Sequence, residues 1–166
     1  MSTVMTAAGA RRQLDFRSID DILKDLDALE KAHAAGRLRS VGEWSPGQNL
    51  QHLARSMKAP LDGFPPVKPR FYMKLMARMF KGMATSGKAM KPGFKMPREL
   101  AVLAPDAQVS FEQGAREFRE LLHRVKRGDR MEHPSPYFGR MTHDEWTRLS
   151  LGHAMLHMSF LVVDPA

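Results

Sequence analysis

The sequence contains no cysteine among its 166 residues. This absence excludes a disulfide scaffold, a thiolate zinc cluster and a cysteine nucleophile, so any metal site must use His, Asp or Glu. No run approaches the roughly 18 apolar residues that a membrane-spanning helix needs. The pair Arg11-Arg12 resembles a twin-arginine export signal, but no apolar segment follows it. We therefore expect a cytoplasmic protein.

β-Branched residues are also scarce. Ile and Val together number 10, whereas Ala, Leu and Met together number 48. Side chains without β-branching lose little freedom in a helix, and β-branched side chains favour strands, so this ratio predicts an all-α fold. The length suits one domain. We place that domain at residues 14–166, behind a mobile N-terminal tail over residues 1–13.

Four long helices are predicted from apolar periodicity and from start signals. They cover residues 18–36, 45–58, 110–128 and 142–163. Capping boxes begin the last three helices, at Ser45, Ser110 and Thr142. A long proline-rich crossover separates the second and third helices and carries a short extra helix over residues 71–84. Two helical hairpins joined by one long crossover make a four-helix bundle.

Histidines are the natural candidates for chemistry in a chain without cysteine. Among the seven histidines, only His153 and His157 lie four residues apart, which puts both imidazoles on one face of the last helix. Position 154 is Ala, so the zinc-protease motif H-E-x-x-H is absent. His52 in the second helix could supply a third ligand, and three histidines with open positions are typical of a catalytic metal site. Alternatively, these residues are core histidines bonded to backbone or water.

Several stretches resemble a known family. Residues 44–54 read W-S-P-G-Q-N-L-Q-H-L-A and are similar to the W-S-x-x-Q-x-x-x-H-L start of the second helix in DinB-like proteins. Residues 133–146 resemble the H-P…F-G-x-M-T-x-x-E-W signature of one branch of the DinB/YfiT-like superfamily, the family called domain of unknown function 1569. The segments 62–65 and 92–95 also look typical of that branch. The resemblance covers roughly residues 13–163.

This resemblance implies a DinB-like four-helix bundle with a divalent cation held by His52, His153 and His157. Relatives in the superfamily include thiol-dependent transferases and hydrolase-like enzymes, so we expect a transferase or hydrolase that activates a thiol or water for a small-molecule substrate. The branch itself has no assigned reaction. Ligation by histidine alone suits Zn²⁺, Ni²⁺ or Fe²⁺. Glu43 and Asp27 are conceivable general bases.

The formal charge of +8 is concentrated in residues 68–98, which hold nine Lys or Arg residues and no acid. In the extra helix, Lys74, Arg78 and Lys81 share one face, and Met and Phe side chains cover the other. We expect the apolar side to pack on the bundle and the cations to point to water. These three cations and His133 are candidate substrate-binding residues, because a basic surface attracts an anionic substrate.

Other roles remain open for this basic segment. A non-catalytic binding module could use residues 68–98 to hold an anionic partner. A basic amphipathic helix can also lie on an anionic membrane or in the groove of a partner protein. Nucleic acid is the weaker expectation, since no recognised motif accompanies the charge. A homodimer also stays open.

Overall fold

The chain is mostly helical in a computed structural model that describes residues 11–93 and 98–165. The elements in chain order are α1 (Ile19–Ala34), β1 (Leu38–Ser40), α2 (Pro46–Asp62), α3 (Phe71–Ala84), a 3-10 helix (Arg98–Leu103), α4 (Phe111–Lys126), α5 (His143–Met158) and β2 (Leu161–Val163). The prediction of an all-α fold is confirmed in its main part, since the described chain is mostly helical with one small two-stranded sheet. The small two-stranded sheet and the 3-10 helix were not expected from the sequence.

Side-chain caps begin the long helices. The predicted capping boxes at Ser45 and Thr142 are both complete: each hydroxyl accepts from the third backbone N–H, and the Gln or Glu side chain at that position returns to the cap. Ser110 caps α4 in the same way. The reciprocal half of the predicted box is not formed at α4, and the Gln113 amide nitrogen donates to Glu117 one turn later. The start signals therefore place the helices well.

The second helix runs further than the sequence suggested. The helix was predicted to end at residue 58, where the proline-rich crossover begins, yet α2 continues through Pro60 to Asp62. A proline in the last turn costs the helix only one N–H donor. The carbonyl of Pro60 accepts hydrogen bonds from the backbone N–H groups of Glu132 and His133. The extension thus ties the end of α2 to the loop before α5.

The last helix ends earlier than predicted. A helix was expected to residue 163, but α5 stops at Met158, and residues Leu161–Val163 form β2. This strand pairs antiparallel with β1, with Leu38 opposite Val163 and Ser40 opposite Leu161. Two consecutive valines favour the extended strand over the helix. This two-stranded sheet of β1 and β2, the β-ribbon, holds the connection between α1 and α2 against the end of α5.

Helices α1, α2, α4 and α5 contact one another and supply most of the buried core. The closest approach is between α2 and α4, where Gly114 lies against the backbone of Gly47, and Gly47 lies against the carbonyl of Ser110. A side chain at either glycine would overlap these backbone atoms. The two helices can therefore cross with their backbones in contact, which brings the polar residues of α2 into the interior.

The crossover lies outside this core. No residue of α3 is buried, so the expectation that its Met and Phe side packs on the bundle is wrong. After α3, the chain runs along α5: the Thr85 carbonyl accepts from Arg148, and the Met90 N–H donates to the Gly152 carbonyl. Among the described helices, none combines the length and hydropathy that a membrane crossing requires.

The predicted tail over residues 1–13 falls mainly on residues 1–10, which lie outside the described residues. Arg12 is held firmly where the described chain begins. Its guanidinium forms two hydrogen bonds with the Asp25 carboxylate, at 2.8 and 2.7 Å, and a third with the Met158 carbonyl. The Arg12 N–H also donates to the Ser159 carbonyl. These contacts join the start of the described chain to α1 and to the end of α5.

Candidate metal centre

Three histidines from two helices meet at one point. His52 comes from α2, and His153 and His157 come from α5. One ligand nitrogen from each lies within 4.8 Å of the others, and the Nε2 atoms of His52 and His153 are 3.1 Å apart. The structure thus brings together the three residues that the resemblance implied, close enough to hold a metal ion.

The histidines lie at the edge of the core and not along its centre. His52 is buried, and His153 and His157 are half-buried. The fully buried side of α5 carries Leu151, Ala154, Met155 and Met158 instead. A half-buried cluster can reach both the interior and a ligand that enters from solvent.

The 3-10 helix fixes the orientation of His52. The Leu103 carbonyl lies 2.8 Å from His52 Nδ1. A carbonyl only accepts, so Nδ1 carries the proton and donates it, and the lone pair of His52 lies on Nε2. That lone pair faces His153. A backbone carbonyl that orients a ligating imidazole in this way is common at metal sites.

Asn49 fixes His157 in the same manner. Asn49 is 2 % exposed, and its amide nitrogen donates to the carbonyls of Trp44 and Ser45, each at 3.1 Å. Both amide hydrogens are thereby used, so Oδ1 is the atom that faces His157 Nδ1 at 3.1 Å. His157 therefore holds its proton on Nδ1 and presents its lone pair on Nε2.

Trp44 covers one side of the cluster. Its ring stacks on His157, with centroids 5.5 Å apart and an interplanar angle of 16°, and lies 4.9 Å from the ring of His52. The β-ribbon places this residue, because the Val41 N–H donates to the Phe160 carbonyl just beyond the sheet. An aromatic wall of this kind shields the imidazoles from water on that side.

A polar network on α2 secures the loop that carries Leu103. Gln51 Oε1 accepts from the Asp106 N–H at 2.8 Å, and Arg55 pairs with the Asp106 carboxylate at 2.7 Å. Arg55 also donates to the Ala104 carbonyl. The guanidinium lowers the pKa of Asp106. Since these contacts lie within three residues after Leu103, they help to hold its carbonyl against His52.

All three imidazoles are held in the neutral state. Burial lowers the pKa of His153 well below its ordinary value, and the two neighbouring imidazoles lower it further. Burial, with a smaller contribution from His52, lowers the pKa of His157 to about 3. Burial also lowers the pKa of His52, although the hydrogen bond to the Leu103 carbonyl raises it. A metal ion binds neutral imidazole, so the cluster needs no deprotonation near neutral pH.

The donor set fits a divalent transition metal. Zn–N bonds of about 2.0–2.1 Å place two imidazole nitrogens on one ion roughly 2.9–3.4 Å apart, for bond angles of about 90–110°. The 3.1 Å between His52 Nε2 and His153 Nε2 falls inside this range. Without an ion, a hydrogen bond from His153 Nε2–H to His52 Nε2 accounts for the same distance.

The other predicted site residues lie elsewhere. Lys81 forms a 2.9 Å ion pair with Glu145 at the start of α5, which is about 12 Å along the helix axis from His153. Lys74 and Arg78 are exposed on α3. The backbone of His133 contacts α2 and α5, since its N–H donates to the Pro60 carbonyl and its carbonyl accepts from the Trp146 indole.

The conceivable general bases also have other surroundings. Asp27 pairs with Arg119 at 2.7 Å across α1 and α4, and Glu43 is exposed in the loop before α2. Within the described residues, no carboxylate joins the histidine cluster. A groove of about 680 Å³ lies between α1 and α4, and its lining includes Glu30, Arg116 and Glu120 but none of the three clustered histidines.

The sequence did not predict that Asn49 and Leu103 orient the clustered histidines. Asn49 had a usable signal, because it lies three residues before His52 and so shares its helix face. Leu103 had none, since it acts through its backbone carbonyl in a segment that looked like a loop.

No curated protein and no solved structure matches this chain. A family profile described as "Protein of unknown function (DUF1569)" matches residues 8–164, which is nearly the whole chain. The match extends over α2 and α5, the two helices that carry the histidines. Residues 94 and 95 of the resembling segment 92–95 lie outside the described residues. The chain belongs to this family, domain of unknown function 1569.

Proposed function

We propose that this protein is a divalent-metal-dependent enzyme of DinB-like type. In this proposal, α1, α2, α4 and α5 form the four-helix bundle, and His52, His153 and His157 hold the ion. One observation carries it: one ligand nitrogen from each of the three histidines lies within 4.8 Å of the others. The Nδ1 protons of His52 and His157 are each bonded to a protein oxygen, which leaves the Nε2 lone pair of both imidazoles free for an ion.

The expected ion is Zn²⁺, Ni²⁺ or Fe²⁺, the metals that imidazole ligands suit. When bound, it would lower the pKa of a coordinated water or thiol and polarise an electrophile. Three neutral ligands leave the full charge of the ion uncompensated and leave coordination positions open. The site therefore favours an anionic ligand such as a thiolate or hydroxide. These features support a transferase or hydrolase acting on a small molecule.

The protein's own residues would orient and shield the centre. Asn49 and the Leu103 carbonyl hold two imidazoles in one tautomer, which reduces the freedom lost when a ligand binds. Trp44 excludes water from one side. Since no described carboxylate reaches the cluster, a proton released there has to pass to substrate or solvent.

The first experiment measures metal content. The full chain is purified without chelator and without nickel affinity resin, and bound metals are quantified by elemental analysis. We expect about one ion per chain in the wild type and its loss in His153→Ala/His157→Ala. The matched control is His33→Ala/His123→Ala, which removes two histidines from the groove between α1 and α4 and should retain the ion.

Circular dichroism checks that each variant is folded. Unchanged tight binding in His153→Ala/His157→Ala would eliminate this site. A wild type that binds none of the three metals at neutral pH would leave the histidines as a hydrogen-bonded core cluster.

A second experiment addresses the chemistry. The protein is loaded with Co²⁺ and titrated with a low-molecular-weight thiol, and the absorption spectrum is recorded. A sulfur-to-cobalt charge-transfer band would support thiol activation. An unchanged spectrum, with metal still bound, would favour activation of water.

A further inference from the structure

Helix α3 presents a continuous apolar surface to solvent. Seven of its large apolar side chains are between 45 % and 83 % exposed, and none of its residues is buried. Single exposed hydrophobic residues are ordinary on protein surfaces, but a contiguous patch marks an interaction site. The patch consists of Phe71, Tyr72, Leu75, Met76, Met79, Phe80 and Met83.

The spacing of these residues defines one side of the helix. Phe71, Leu75, Met79 and Met83 recur every four residues, and Tyr72, Met76 and Phe80 form a parallel row beside them. The opposite side faces the rest of the protein: Lys81 there pairs with Glu145, and Met73 and Ala77 are half-buried. The apolar side therefore points away from the bundle.

Positive charge lies along one edge of this apolar side. Lys74 and Arg78 are exposed along its edge, and residues 68–98 contain nine Lys or Arg residues and no acid. The rest of the chain is close to neutral, with 17 basic and 18 acidic residues. The partner of α3 should thus combine an apolar layer with negative charge.

We propose that α3 binds the surface of an anionic lipid bilayer. The aromatic, Leu and Met side chains would enter the boundary between headgroups and acyl chains, and Lys74 and Arg78 would contact the lipid phosphates. At about 21 Å, this 14-residue helix is too short to cross the roughly 30 Å hydrocarbon core, so it lies in the interface. The apolar and cationic faces are then both used.

A second copy of the chain fits these features less well. Pairing of two α3 helices would cover the apolar faces, but it would also bring the cationic edges of both copies together. The near-neutral remainder of the chain offers no net negative charge to compensate beyond a single unit. Charge complementarity therefore favours the anionic bilayer.

The test is co-sedimentation of the full chain with vesicles. One set is phosphatidylcholine alone, and the other contains phosphatidylserine as well. We expect binding to the anionic vesicles, weakening as salt screens the charges, and little binding to phosphatidylcholine. Leu75→Gln/Met79→Gln should weaken binding to anionic vesicles by roughly tenfold or more. Both side chains are exposed, so the fold should tolerate the changes.

Charge variants provide matched controls. Lys74→Gln/Arg78→Gln should weaken binding by roughly fivefold for each charge removed. Lys24→Gln/Lys31→Gln removes the same charge from exposed positions on α1 and should bind like the wild type. Val102→Gln removes an exposed apolar side chain outside α3 and should also have no effect.

Three results would overturn the proposal. The first is failure of the wild type to bind anionic vesicles at low salt. The second is equal binding by the α3 variants and their controls. The third is a dimer, seen by analytical ultracentrifugation, that dissociates in Leu75→Gln/Met79→Gln, since a second copy would then cover the patch.

Discussion

Asn49 Oδ1 lies 3.1 Å from Nδ1 of His157 and determines which nitrogen of that imidazole is free. The amide group of Asn49 is itself fixed by two carbonyls of the loop before α2. The orientation of His157 on α5 therefore depends on how α2 begins. This relationship connects a helix start with the chemistry of the histidine cluster.

Asn49→Leu tests that relationship. The substitution removes the acceptor for His157, so we expect Zn²⁺ affinity to fall about 10–100-fold, as for other residues that orient metal ligands. It also leaves the half-buried His157 Nδ1–H without its acceptor and removes the side-chain donor to the Trp44 and Ser45 carbonyls, at a cost of about 1–3 kcal/mol in unfolding free energy. Competition titration with a chelating dye measures the affinity, and denaturant unfolding measures the stability.

Asn49→Asp is the matched control. Its carboxylate still accepts from His157 but cannot donate to Trp44 or Ser45. It should lose stability and keep most of the Zn²⁺ affinity. Equal affinity in Asn49→Leu and Asn49→Asp would show that the hydrogen bond to His157 does not orient the ligand.

The stability of the metal-free protein should depend on pH through these histidines. Their folded-state pKa values are lowered, that of His157 to about 3, whereas an unfolded histidine titrates near 6.5. Below about pH 6.5 the unfolded state binds more protons, so stability falls as the pH is lowered toward 3. Each such histidine contributes a slope of up to about 1.4 kcal/mol per pH unit.

Urea unfolding between pH 7 and pH 5 excludes most of the carboxylate contribution, because the carboxylates titrate mainly below that range, and comparison with a cluster variant assigns the slope to these histidines. The variant His157→Gln should show a smaller slope than the wild type. A wild-type stability that is flat across this range would mean that the imidazoles are not held neutral.

Gly152 on α5 is where the crossover meets the helix that carries His153. Gly152→Ala would place a methyl group against the Lys88 carbonyl and disturb the hydrogen bond from the Met90 N–H. We expect a stability loss of about 1–3 kcal/mol and faster proteolysis in residues 85–93. Thermal unfolding and limited proteolysis measure the two effects.

Gly82→Ala provides the comparison for Gly152→Ala. It changes a helical glycine with open space around it, so it should stabilise α3 by about 0.5–1 kcal/mol. Proteolysis of Gly152→Ala at the wild-type rate would contradict the observed docking of the crossover on α5.

The ion pair between Lys81 and Glu145 joins α3 to the start of α5. A double-mutant cycle with Lys81→Met and Glu145→Gln should give a coupling of about 0.5–1 kcal/mol. Gln at position 145 keeps the capping box with Thr142, so the cycle removes the charge without removing the cap. A coupling near zero would mean that the pair does not hold α3 in place.

The sequence by itself determined where the helices begin and which residue types could form a metal site. Ser18, Ser45, Ser110 and Thr142 act through contacts within one helical turn, so their roles are readable from local sequence. The spacing of His153 and His157 is likewise a property of one helix. The absence of cysteine alone limits the candidate ligands to histidine and the carboxylates.

Tertiary structure decided the rest. Pairing with β1 made residues Leu161–Val163 a strand, and the hydrogen bond from His52 to the Leu103 carbonyl joins residues 51 positions apart in the chain. The exposure of α3 also required the fold, because an amphipathic pattern looks the same whether its apolar side faces a core or solvent. Contacts between distant segments carry no local signal, and these contacts turn three separate histidines into one site.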